Sequence, residues 1–259
     1  MKPLLCFDVD GTLRDNVHHQ VSLSTQKALR MLKQNGYHMI ISSGRGLDSL
    51  KKTGIMDMFQ WDGFVCNNGQ LVLDAQKKEI SHAFMDPQAV EEVIAIAKQY
   101  DYAVTLKSKQ RIITKEPDEY VLQTQKYFHN QIPPVGHYHG QPVEAMIVYG
   151  PMGYDYAPFL KVKGVHVLPG ESTYADVTIA GLSKATGIQQ LMHLLGLHEY
   201  IAFGDSLNDV DMFKEATISV AMGQGNEQLK QMATYVTKPI EDDGIYHACL
   251  HLGLIQEGK

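Results

Sequence analysis

Phe7-Asp8-Val9-Asp10-Gly11-Thr12 comes directly off the apolar run Leu4-Leu5-Cys6 and sets two carboxylates two positions apart where a buried strand runs out. Carboxylates at such a place ask for a cation. A second acidic cluster, Gly204-Asp205-Ser206-Leu207-Asn208-Asp209-Val210-Asp211-Met212, follows the apolar run Tyr200-Ile201-Ala202-Phe203 near the other end of the chain. Two strand-end acid clusters so far apart in sequence are best explained by one site.

Outward from this stretch, Leu4 to Val9 reads as a strand, and Ser24 is placed to cap a helix that Asn35-Gly36 stops. His38 to Ser42 is a second strand, ending in Ser43-Gly44-Arg45 before a short polar helix, and Phe64-Val65-Cys66 ends similarly in Asn67-Asn68-Gly69. Short strand-helix units of this kind mean a mostly parallel sheet with helices on both faces. Ligands of such sheets sit beyond the carboxyl ends of the strands.

After Asn68-Gly69 the texture changes. Leu71 to Leu73 and Ile80 to Phe84 flank a polar turn, and Pro87 opens a helix lasting to about Tyr100. Strand-like runs at Ala103 to Leu106, Arg111 to Thr114, Val143 to Tyr149, Val165 to Leu168 and Ala175 to Ile179 follow, with a helix from Pro117 to about Phe128 and a short one expected over Tyr154 to Leu160. This middle third predicts an α/β domain with antiparallel pairing. From Lys184 the strand-helix alternation returns, through Ile218 to Met222 and a helix over Asn226 to Ala233. The expected organisation is therefore α/β: residues 1–81 and 184–259 form one domain and residues 82–183 an inserted cap.

With 259 residues the chain can bury a full core. Its net charge of -6, with no stripe of Lys and Arg, argues against nucleic acid as the main partner. Cys6, Cys66 and Cys249 are widely spaced among apolar neighbours and read as reduced core thiols. The apolar start is too short for a signal peptide and no run approaches membrane-spanning length, so no membrane partner and a cytoplasmic location are expected. A monomer or weak homodimer is expected.

The strand-end acids suit Mg2+, which takes oxygen ligands and is usually held by one or two carboxylates plus a substrate phosphate. Asp8 and Asp205 are candidate direct ligands. Asp209, one helical turn past Asp205, can reach the same ion, and the Asp10 side chain can face the same crevice as Asp8 because the strand is ending. Aspartates after strands are also frequent helix caps, a reading open for Asp209 and Asp211. Two carboxylates near a phosphate suggest that one attacks phosphorus and the other protonates the departing oxygen, without saying which does which. Lys184 heads a helix whose dipole disfavours positive charge there, an odd place for a lysine serving helix stability alone. Ser43 and the N–H groups of the Gly11-Thr12 turn are placed to hold phosphate oxygens.

Asp8-Val9-Asp10-Gly11-Thr12, Ser43-Gly44-Arg45, the isolated Lys184 and Gly204-Asp205 with Asn208-Asp209 together resemble the four signature motifs of the haloacid dehalogenase-like phosphatases, in the large-cap Cof-type branch. The resemblance covers essentially the whole chain. It implies a Rossmann-like parallel-sheet core with an inserted α/β cap, and a Mg2+-dependent phosphatase acting on a small phosphorylated molecule. By the same resemblance, Asp8 is the nucleophile that forms an aspartyl-phosphate and a Mg2+ ligand. Asp10 is the general acid and then base, and also a ligand through its backbone carbonyl. Ser43 and Lys184 match the phosphate-holding hydroxyl and lysine, while Asp205 and Asp209 match the acidic metal site. Asn208 helps to orient phosphate and lysine. Gly11, Thr12, Gly44, Asn68 and Gly69 match positions near phosphate or substrate, and Arg45 matches a Gly-Arg that faces the cap or an anionic substrate.

One departure is Ala221-Met222-Gly223-Gln224-Gly225, where family members often carry Ala-Met-Gly-Asn-Ala. Specificity is expected to reside in the cap, where Lys109, His137, Tyr138, His139 and Glu144 are polar or amphipathic candidates. A sugar phosphate, a nucleotide and a cofactor phosphate all remain open as substrates. A phosphomutase of the same fold is the nearest alternative, but Arg111 is the only arginine of the cap. A non-catalytic phosphometabolite- or protein-binding domain predicts a missing nucleophile or acid, and both are present.

Overall fold

The structure, a computed structural model, describes residues 2–128 and 131–256. It comprises two compact units, Met1–His82 with Ser183–Lys259 and Ala83–Leu182. The first begins with β1 (Leu4–Phe7), α1 (Leu23–Gln34), β2 (Met39–Ser42), α2 (Leu47–Lys52), α3 (Ile55–Met58) and β3 (Gly63–Cys66), followed by the hairpin β4 (Leu71–Asp74) and β5 (Glu79–His82). The second holds α4 (Pro87–Gln99), β6 (Val104–Lys107), β7 (Ile112–Ile113), α5 (Glu119–Phe128), β8 (Ala145–Tyr149), β9 (Val165–Pro169) and β10 (Tyr174–Ile179). The chain then returns through α6 (Lys184–Leu195), β11 (Tyr200–Gly204), α7 (Val210–Glu215), β12 (Ile218–Ala221), α8 (Glu227–Met232), β13 (Tyr235–Val236) and α9 (Gly244–His251).

The first unit is built on an eight-stranded sheet in the order β13-β12-β11-β1-β2-β3-β4-β5. It is parallel from β13 to β3 and antiparallel through the β4–β5 hairpin. Alternation within β1 shows why both faces must be covered. Leu5 and Phe7 join a core with Ala28, Leu29 and Leu32 of α1 and Ile245, Ala248 and Cys249 of α9. Leu4 and Cys6 point to the other face, among Ala185, Ile188 and Leu191 of α6 and Met212 and Phe213 of α7. A strand buried on both faces reads as a continuous apolar run, as Leu4 to Phe7 does.

The buried face of α1 follows helical spacing, with Thr25, Ala28, Leu29 and Leu32 inward. Its cap is Ser22 rather than the expected Ser24: Ser22 has extended backbone and its Oγ accepts the Thr25 N–H. Ser24 already lies inside the first turn and bonds Ser22 and Asp243 through its hydroxyl.

The second unit carries a five-stranded antiparallel sheet in the order β7-β6-β8-β10-β9. Val90, Val93 and Ala97 of α4 pack on Val104, Leu106, Met146, Val148, Ala175 and Val177. The short helix expected over Tyr154 to Leu160 is not formed; only Phe159–Lys161 makes a 3-10 turn. Tyr156, at φ +52°, has left-handed backbone that a right-handed helix cannot incorporate.

Candidate active site

Four neighbouring strands, in the order β11-β1-β2-β3, end at one edge of the large sheet and hand over to the sequence motifs. Phe7 pairs with Phe203, so Asp8 and Asp205 leave adjacent strands almost side by side. Sheet register thus unites two clusters that lie at opposite ends of the sequence. Ser43 follows β2 and Asn67 follows β3, with the Ser43 N–H donating to Val65 at 2.8 Å and the Asn68 N–H to Ser43 at 3.1 Å.

Lys184 is the first residue of α6, whose Ser183 N-cap forms a reciprocal capping box with Thr186. The lysine side chain is fully buried. Its Nζ donates to Asp8 Oδ1 at 2.6 Å, to Asp209 Oδ1 at 2.6 Å and to Asn208 Oδ1 at 3.3 Å. An ammonium has three donors, and all three are used. Burial alone depresses the Lys184 pKa, but Asp209 and Asp8 outweigh it and hold the group charged.

Asp209 divides its oxygens. Oδ2 accepts the backbone N–H groups of Asp205 and Ser206, each at 3.0 Å, and Oδ1 meets Lys184. Asp205 accepts the Thr12 hydroxyl at 3.3 Å and has no ion pair among the described residues. Thr12 itself is fully buried. Gly11, at φ +83°, makes this arrangement sterically possible, because a Cβ there would lie 2.1 Å from Asp205 Oδ2.

Carboxylate oxygens of Asp8, Asp205 and Asp209 all lie within 4.8 Å of one another. Three acids, Asp8 and Asp209 buried and Asp205 partly so, against one ammonium leave the cluster with excess negative charge. Burial, reinforced by Asp209 and Asp10 against the pull of Lys184, raises the Asp8 pKa to about 7. Burial together with Asp8 and Asp209 pushes Asp205 well above the ordinary carboxylate range. An all-oxygen, anionic donor set whose members repel one another fits a hard divalent cation such as Mg2+.

Asp10 contributes no side-chain oxygen to this cluster. Its carboxylate is taken by Arg45, through Nε to Oδ2 and Nη2 to Oδ1, and by Arg14 Nη1, which donates to Oδ1 at 3.1 Å. Arg45 also donates to Ser49 Oγ at 2.8 Å. Ser43 is buried and its Oγ accepts the Arg45 N–H. Gly44 lies against the Asn208 and Asn68 amides, which approach each other at 3.5 Å. At Gly69, φ +97°, a Cβ would meet the Ser183 carbonyl at 2.0 Å, so this glycine seats the start of α6 against the loop after β3.

Two residues of the neighbourhood escape sequence reasoning. Arg14 sits four positions past Asp10, a spacing that carries meaning only if the loop turns back on itself. Gln224, from the divergent Ala-Met-Gly-Gln-Gly segment, donates Nε2 to the Gly11 carbonyl at 2.6 Å and accepts the Ile240 N–H at 2.9 Å. Of the cap candidates, Tyr138 packs against the core of the second unit, the His139 N–H bonds Gln141, and the rings of His137 and His139 are 6.2 Å apart. The Glu144 N–H donates to the Lys107 carbonyl at 2.7 Å. Lys107 in turn pairs with Asp176 at 3.1 Å.

A parallel sheet with an inserted α/β unit and a buried acid-lysine cluster at its strand ends defines a class of hydrolases. The chain belongs to the haloacid dehalogenase-like hydrolases, whose family model matches residues 5–149 and 153–249. YkrA of Bacillus subtilis, a candidate phosphatase, is 28% identical over 262 residues that cover 98% of each chain. A phosphatase of this superfamily from Bacteroides thetaiotaomicron is similar in structure with a TM-score of 0.90 at 27% identity, over 98% of this chain and 96% of that one. A sugar phosphatase of subclass IIB gives a TM-score of 0.87 at 26% identity, over 98% of this chain and all of that one (100%). Among the described residues no helix is long and apolar enough to cross a membrane.

Proposed function

We propose that the chain is a Mg2+-dependent phosphatase that hydrolyses a small-molecule phosphate monoester, with Asp8 as the nucleophile. The observation that carries this reading is the cluster of Asp8, Asp205 and Asp209 around fully buried Lys184. Asp8, Asp205 and Asp209 would hold the cation. When bound, Mg2+ supplies positive charge opposite the phosphoryl oxygens and the attacking carboxylate. Lys184 keeps Asp8 in place through a 2.6 Å hydrogen bond and offsets its negative charge as it approaches an anionic ester. Ser43 Oγ, which accepts the Arg45 N–H and keeps its own hydroxyl proton to donate, is a neutral donor for a phosphoryl oxygen, whereas the Gly11 and Thr12 N–H groups are taken by the Arg14 and Val9 carbonyls; such a contact strengthens as charge spreads in the transition state.

Asp10 protonates the departing oxygen and afterwards takes a proton from the water that cleaves the aspartyl-phosphate. We assign choice of the leaving group to the residues 83–182 unit, and a sugar phosphate as substrate class, supported by the sugar phosphatase among the structural relatives. Buried, unbridged Cys6, Cys66 and Cys249 support residence in the reducing cytoplasm.

The test is phosphate release from a panel of sugar, nucleotide and cofactor monoesters with Mg2+, beside Asp8→Asn and EDTA controls. Release from a subset, abolished by both controls, is the expected result. A folded protein that binds Mg2+ and turns over no ester would refute the reading.

A further inference from the structure

We infer that Arg14 is a positioning residue for Asp10, fixing its Oδ1 so that Oδ2 is the oxygen that carries the transferred proton. This inference rests on the phosphatase reading and adds to it a residue outside the sequence motifs. The Asp10 carboxyl is 34% exposed just past the end of β1, so burial alone does not fix its rotamer. Its orientation comes instead from three N–H donors on two guanidiniums. Oδ1 accepts Arg45 Nη2 at 2.8 Å and Arg14 Nη1 at 3.1 Å, filling both of its acceptor directions. Oδ2 accepts only Arg45 Nε and keeps one direction open.

The loop is built to return Arg14 to this place. Gly11 N–H donates to the Arg14 carbonyl at 2.8 Å and Arg14 N–H to the Val9 carbonyl at 2.8 Å, closing a tight turn around Asp10. Arg14 Nε donates to the His19 carbonyl at 3.1 Å, so the guanidinium is held at both ends and its side chain is only 15% exposed. Arg45, anchored on Ser49, approaches from the loop after β2. Removal of either arginine leaves the carboxyl a rotational freedom that both together deny it.

In the first half-reaction an Asp8 oxygen bonds phosphorus, the phosphorus–ester oxygen bond breaks, and the proton on Asp10 Oδ2 passes to the ester oxygen, releasing an alcohol. In the second, water bonds phosphorus and its proton passes to Asp10 Oδ2. The phosphorus–Asp8 bond then breaks, releasing inorganic phosphate. Misplacing Oδ2 harms the first step only where the leaving oxygen needs that proton.

The test compares kcat/KM of wild type, Arg14→Met and Arg14→Lys for an alkyl phosphate and for p-nitrophenyl phosphate, whose phenolate departs without protonation. Arg14→Met is expected to lower kcat/KM for the alkyl ester by roughly 10- to 100-fold and for the aryl ester by less than about 3-fold, with Arg14→Lys recovering part of the loss. On an Asp10→Asn background, Arg14→Met is expected to add no further loss. Equal losses for both esters, or an undiminished effect without Asp10, would overturn the inference while leaving the phosphatase reading intact. Wild type inactive toward every ester would overturn both. Unfolding midpoints of the variants separate a local effect from collapse of the loop.

Discussion

Asp8→Asn should stabilise the metal-free protein, and by an amount that grows with pH. Burial and the neighbouring carboxylates raise the Asp8 pKa from 3.8 to about 7 in the folded state. An acid whose pKa is raised by folding contributes stability fully present below its unfolded value and lost as pH rises through the folded one. With about 1.4 kcal/mol per pKa unit, ionising Asp8 in the folded cluster costs about 4 kcal/mol above pH 7 and about 1.7 kcal/mol at pH 5. The pull of Lys184 on the Asp8 charge is already contained in that pKa and adds nothing further to the pH dependence. The difference between variant and wild type should therefore shift in the variant's favour by about 2–3 kcal/mol between pH 5 and pH 8. Urea unfolding in EDTA, followed by fluorescence of Trp61, measures this directly, because Trp61 is the single tryptophan and lies in the core of the first unit. At pH 8 saturating Mg2+ should narrow the gap, since the cation is held more tightly by the protein that keeps the Asp8 charge beside Asp205 and Asp209. A variant-to-wild-type gap identical at pH 5 and pH 8 would refute the reasoning, because Asp8 would then titrate as an ordinary carboxyl.

Lys184→Met leaves the buried Asp8 and Asp209 carboxylates without their ammonium; kcat/KM should fall on the order of 10³-fold, and stability in EDTA by about 3–5 kcal/mol above pH 7. Gly11→Ala imposes a left-handed strain of roughly 1–2 kcal/mol and drives a methyl into Asp205, so Mg2+ affinity by calorimetry and kcat/KM should both drop, the latter on the order of 10²-fold. Gln224→Ala frees the Gly11 carbonyl and should cost about 1 kcal/mol of stability, read as a lower urea midpoint. Asp62 reports acid stability away from the site. Burial raises its pKa, but the Lys33 ammonium at 2.7 Å and the Met39 N–H at 2.8 Å outweigh this and hold it below the ordinary value. Its contribution is present above about pH 4 and lost as pH falls through the lowered value, so Asp62→Asn should lose about 1–3 kcal/mol at neutral pH and progressively less as the solution is acidified below about pH 4.

The parallel core was legible because its strands are buried on both faces and leave apolar runs that end in chemically distinctive residues. Asp8 and Asp205 could be assigned to one site from sequence because neighbouring parallel strands share an edge. What could not be read depends on how loops close. Arg14 reaches Asp10 through a turn held by backbone hydrogen bonds, and Gln224 reaches the Gly11 carbonyl from 213 positions away in the chain. Neither contact leaves a periodic signal. Ser22 prevails over Ser24 as a cap because the backbone turns helical at Leu23, two residues earlier than a Ser24 cap requires. Over Tyr154 to Leu160 the apolar spacing looks helical, but the aromatic rings pack as a cluster, with Tyr154 and Tyr156 centroids 4.9 Å apart, on irregular backbone.

Asp209 shows why capping and catalytic readings of a strand-end aspartate are not rivals. Its Oδ2 fastens the turn that begins at Asp205, taking the Asp205 and Ser206 N–H groups at 3.0 Å each, and so holds Asp205 in place. Its Oδ1 meets Lys184 at 2.6 Å, so the same rigid carboxyl also places the ammonium that bonds Asp8. A capping residue is normally exposed and replaceable by Ser or Asn at little cost. Fully buried Asp209 is not, because a neutral or shorter side chain would satisfy the turn yet leave Asp8 as the one carboxylate bonded to Lys184. Burial, rather than position in the sequence, is what separates a cap that merely ends a strand from one on which the geometry of the whole cluster depends.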